Sequence, residues 1–171
     1  MKFKLGIIVI CCLVSVAASA ETEGFQDALL DNFVGKWLLE GTIAGNDVVH
    51  DIDTEWILSH QYLQFHEVSH ELDETGALAY EAIVTLGWDE TTGRYACYWL
   101  DSTSGAGLSD PVIGFAKPDG DIIPFKFVSD DGSVFHTTFE YVRESDLWLW
   151  RMDSERDGEL RQFSRVTLTR Q

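Results

Sequence analysis

Residues 65–71 read FHEVSHE and hold the spelling H-E-x-x-H. On a helix, histidines four apart share a face and can bind zinc, with the glutamate activating a water. On a strand, His66 and His70 still share a face but stand about 13 Å apart, at roughly 3.3 Å per residue. A zinc–nitrogen bond of about 2 Å cannot span that gap. The flanking segments read as strands, and Asp73 stands where the longer zinc pattern needs glycine. The spelling therefore predicts two partly exposed strand histidines, not a protease centre. Residues 153–158, DSERDG, mimic the start of a calcium loop. Ser164 replaces the glutamate such a loop needs, and strands flank it in place of helices, which predicts a polar hairpin turn.

Other chemistry rests on single residues. His60, His66 or His136 would serve as a general base if Glu67 or Asp101 oriented it. His66 or His136 would also be the ligand in a haem- or metal-carrying barrel, the one cofactor the sequence suggests. The sequence shows no nucleophile elbow or phosphate loop. Cys97, in RYACYWL, reads as a buried strand thiol and therefore inert. Catalysis is the secondary expectation, and no catalytic residue is assigned.

Charge narrows the partners. The chain carries 29 acidic and 12 basic residues, a net charge of −17. Such a surface repels phosphate backbones and anionic membranes, which argues against nucleic acid as a partner. The first twenty residues read as a secretory signal peptide. Lys2 and Lys4 begin it, an apolar run covers 6–17, and Ala18-Ser19-Ala20 offers a cleavage site. A single exported domain, 21–171, is expected in a periplasm or outside the cell. No other stretch is long and apolar enough to span a bilayer. Cys97 is the one cysteine beyond the signal, so no internal disulfide is expected. Nothing in the sequence fixes an oligomeric state.

The elements that must position these residues are short. Turn chemistry recurs at 44–47, 73–76, 89–93, 117–120, 129–132, 143–146 and 153–158, with softer breaks at 59–60 and 102–107. Between the breaks lie segments rich in β-branched and aromatic residues, such as YEAIVTLGW, SVFHTTFEYV and LWLWRM. Ala82, Val84, Leu86 and Trp88 alternate with Glu81, Ile83, Thr85 and Gly87, as one face of a strand should. Nine breaks predict about ten strands, an all-β antiparallel meander whose edges are hidden by closing into an up-and-down barrel. Phe25, Leu29, Leu30 and Phe33 recur at helical spacing and predict a short helix before the first strand, placed to plug one end.

The stretch FVGKWLLEG, with Gly35-Lys36-Trp37, resembles the opening of calycin barrels such as lipocalins and fatty-acid-binding proteins. Those barrels close with an arginine on the last strand, and FSRVTLTR offers Arg165 or Arg170 as the residue packed on Trp37. TEWILSHQYLQFHEVS and YEAIVTLGWDETTGRYACYWLD are similar to a lipocalin-like family of bacterial domains of unknown function, and this likeness covers nearly all of 21–171. It implies the barrel and no particular activity. Fatty-acid-binding proteins hold a carboxylate with Arg-x-Tyr on the final strand; here Arg165-Val166-Thr167 lacks the tyrosine. Nitrobindin-type haem barrels ligate iron through a histidine near the C-terminus, and no histidine follows His136.

A barrel of more than eight strands is too wide to be filled by its own side chains. The expected function is therefore to enclose a small hydrophobic or amphipathic ligand. Tyr62, His66, Trp88, Tyr98, Trp150 and Arg165 are the expected lining residues, aromatic walls with a few polar groups. Gly35, Trp37, Arg165 and Arg170 are the expected closure residues.

Overall fold

The computed structural model describes residues 24–103 and 112–171. The segment read as a signal peptide and its cleavage site lie outside the described residues. Ten strands follow one another: β1 (Gly35–Ile43), β2 (Asn46–Ile57), β3 (Tyr62–Ser69), β4 (Glu81–Asp89), β5 (Arg94–Asp101), β6 (Ile113–Ala116), β7 (Ile122–Val128), β8 (Val134–Val142), β9 (Leu147–Arg156) and β10 (Glu159–Arg170). Each pairs antiparallel with its neighbour in sequence, and β10 returns to β1 to close the barrel. The fold is the all-β, up-and-down barrel that the turn spacing predicts.

Alternation sets the two faces. In β2, Val48, His50, Ile52 and Thr54 point inward, while Asp51, Asp53 and Glu55 face solvent. In β4 the inward set begins with Ala82, Val84 and Leu86, all buried. Two details differ from expectation. The 153–158 turn is narrower than its polar composition suggests, because β9 continues to Arg156 and Asp157-Gly158 alone make the turn. Both have positive φ, 54° and 77°, the geometry a two-residue hairpin favours. The predicted helix is a single 3₁₀ turn, Leu30–Phe33. The Asp27 carboxylate accepts the N–H groups of Leu29 and Leu30 at 2.9 and 3.0 Å, which caps the start of the turn.

That turn seals one end of the barrel. Phe33 stacks on Trp148 with ring centroids 3.6 Å apart, and Leu30, Phe33, Trp37, Phe125, Phe139 and Trp148 are all fully buried or nearly so. The Trp37 indole donates to the Phe33 carbonyl at 2.6 Å. The Arg170 guanidinium lies over the other side of the seal, 4.1 Å from the Trp37 ring centroid. It donates to the carbonyls of Val34 and Asn32 at 2.8 and 3.0 Å and to Asp146 at 2.7 Å. Gly35 explains its own place in the motif. Its φ is +131°, and a Cβ there would stand 2.7 Å from Arg170 Nη1. Arg170, not Arg165, is thus the arginine that packs on Trp37. Among the described residues, no helix is long and apolar enough to cross a membrane.

Candidate functional site

The other end of the barrel is hollow. A cavity of about 430 Å³ opens there, with Trp99, Tyr80, Phe135, Phe163 and Met152 among its walls and His50, Glu67, Glu71 and Asp101 as its ionisable groups. Register explains the assembly. Glu67 on β3 pairs with Ala82 on β4, and Ala82 pairs with Asp101 on β5. Two inward carboxyl groups therefore flank a methyl side chain. A register shift between Gln162 and Ser164 inserts one extra residue in β10. That bulge brings Phe163 to the cavity while Ser164 keeps its inward, buried position.

The polar centre of the site is a buried pair. His50 Nδ1 lies 2.6 Å from Glu67 Oε1, with the residues only 5% and 2% exposed. On neighbouring strands the two sit diagonally, since His50 pairs with Ser69, two residues beyond Glu67. Tyr80 stacks on the His50 ring at 5.5 Å with an 18° tilt. Burial pushes the Tyr80 phenol well above its ordinary pKa, and the charges of Glu67 and Asp101 push the same way. Tyr80 is accordingly a neutral hydroxyl held close to both carboxylates. At the base of the cavity, Met152 is flanked in register by Thr137 and Ser164. Both hydroxyls are fully buried and find no hydrogen-bond partner among the described residues.

None of the six expected lining residues borders this cavity. Tyr62 is 43% exposed on the outer face, where its ring lies against Gly87. His66 faces outward and pairs with Glu81 at 2.7 Å. Tyr98 also faces outward, because Tyr95 and Cys97 take the inward positions of β5. Arg165 lies outside, with its guanidinium 2.6 Å from Asp153. Trp88 is at the sealed end, stacked on Phe25 at 5.9 Å. Trp150 is inward but lies in the packed core, 4.8 Å from the Phe139 ring. Two of these misses are single steps along a strand. Glu67 and Trp99, next to His66 and Tyr98, are the residues that line the cavity, and one residue of slip exchanges the faces of a strand.

The remaining histidines are also accounted for. His70 pairs outside with Asp51 at 2.9 Å, so His66 and His70 share an outer face and use separate carboxylates. His136 pairs outside with Glu155 at 2.7 Å. His60 stacks on Trp56 at the sealed end, 4.2 Å away. The carboxylate expected to orient a histidine, Glu67, does so, but its partner is His50. Among the described residues, no cluster of three or more His, Cys, Asp or Glu side chains is arranged to hold a metal ion. Cys97 is fully buried, and burial pushes its thiol pKa up.

Sealed at one end and hollow at the other, the molecule belongs among up-and-down β-barrels with an internal cavity. No family model matches the sequence, and no curated protein does either.

Proposed function

We propose that this chain is an exported binding protein that encloses a small, partly apolar molecule inside its barrel. The observation that carries the reading is the cavity of about 430 Å³, walled by Trp99, Phe135, Phe163 and Met152 around the buried His50–Glu67 pair. Its size and its mix of rings with a few fixed polar groups suit small-molecule recognition. The resemblance of Gly35-Lys36-Trp37 and the closing arginine to calycin barrels supports the same reading. Export rests on the basic, apolar and small-residue pattern of residues 1–20. Haem carriage through His66 or His136 gains no support, because both imidazoles stand on the outer face.

Mass spectrometry of small molecules released on denaturing native-source protein tests the reading. A compound released in stoichiometric amount is the expected result. Absence of any such compound, together with failure of a neutral dye such as Nile red to partition into the barrel, would overturn it. N-terminal sequencing of the same material should begin near Glu21. A second reading, proton transfer by His50, is favoured by one observation: Glu67 fixes the imidazole through Nδ1 in a concave site. Its test is conversion of a bound compound by the wild type and not by His50→Gln.

A further inference from the structure

We infer that the cavity selects organic cations: a protonated amine or quaternary ammonium carried on an apolar body. The inference rests on the small-ligand reading and adds the sign of the ligand. Among the lining residues, three carboxyl groups, Glu67, Glu71 and Asp101, face one group able to carry positive charge, His50. Among the described residues, no lysine or arginine lines the cavity.

The walls point the same way. Trp99, Tyr80, Phe135 and Phe163 present aromatic rings, whose faces attract cations through their quadrupoles. Tyr80 lies near both Glu67 and Asp101, and its phenol stays neutral, so an ammonium placed there meets a ring and carboxylates together. Ala82 lies between Glu67 and Asp101 in register, so the two carboxyl groups stand on the same inward face, two strands apart. A ligand carboxylate would find no charged donor among these residues save His50, which Glu67 already engages. The net charge of −17 also concentrates cations around the protein as a whole.

Three probes that share one body and differ in head group test this: phenylbutylamine, phenylbutanol and phenylbutyrate, titrated calorimetrically into the folded chain. The amine should bind roughly tenfold tighter than the alcohol, and the carboxylate weakest of all. In Glu67→Gln and Asp101→Asn, checked for folding by circular dichroism, the amine-to-alcohol ratio should fall by roughly threefold or more. Equal binding of the three probes overturns the cation inference and leaves the small-ligand reading standing. So does failure of the amine to bind while Nile red still partitions into the barrel. If neither the probes nor Nile red bind, the reading itself fails, and the inference with it.

Discussion

The guanidinium of Arg170, the penultimate residue, lies 4.1 Å from the centroid of the Trp37 ring, at the start of the first strand. The pair ties the two ends of the sheet together across a barrel seam and anchors the 3₁₀ turn through the carbonyls of Asn32 and Val34. Arg170→Ala should lower stability by about 2 kcal/mol, from loss of the cation–π contact and charge-assisted hydrogen bonds. Arg170→Lys should recover only part of that, since an ammonium lacks the planar fork. Urea denaturation of the three proteins measures both steps.

Gly41 occupies the same seam. Its φ is +147°, and an added Cβ would stand 2.3 Å from the Arg165 carbonyl oxygen and 2.8 Å from Val166 Cα. Both atoms are backbone and cannot swing away. Gly41→Ala should therefore cost about 2 to 4 kcal/mol by forcing β1 and β10 apart. A thermal melt equal to that of the wild type would contradict the seam geometry.

Acid should loosen the seam in a defined window. Hydrogen bonds from Arg170 and Tyr141 hold the Asp146 carboxyl below its usual 3.8, and burial opposes them weakly. A carboxyl whose folded pKa is depressed contributes stability above its unfolded pKa and loses it as pH falls through the folded value. The stability difference between wild type and Asp146→Asn should stay constant between about pH 5 and 7 and shrink below about pH 4. Denaturation midpoints of both proteins across that range give the answer.

The His50–Glu67 pair separates folding from binding. Removing one member leaves the other buried without its partner, so Glu67→Ala should lose about 3 kcal/mol. Replacing both with apolar residues, His50→Leu with Glu67→Leu, should return stability to within about 1 kcal/mol of the wild type. Recovery of stability without recovery of amine binding would identify the pair as functional, not architectural.

How far the sequence carries the fold and the site follows from how cleanly each strand alternates. In β2 the run Asp51, Asp53, Glu55 marks a solvent face, so alternation alone makes His50 legible as an inward residue. In β3 and β5 both faces hold polar or aromatic side chains. Neither His66 against Glu67 nor Tyr98 against Trp99 could be assigned by pattern alone. Trp150 failed for another reason: inwardness was right, but depth along the barrel depends on register, which only pairing sets. The Phe163 bulge has no turn or glycine to announce it. Gly35-Lys36-Trp37 was legible because its geometry is local, whereas the choice of Arg170 over Arg165 needed the β1–β10 alignment.

The pairing of β10 with β1 also governs how the chain matures. Each strand from β2 to β10 can dock on the one made just before it, but the circle closes only when β10, Glu159–Arg170, also reaches β1. Until then β1 and β9 offer bare hydrogen-bonding margins to any passing strand. The half-built sheet is thus the aggregation-prone species, and the hazard ends only when β10 docks on β1.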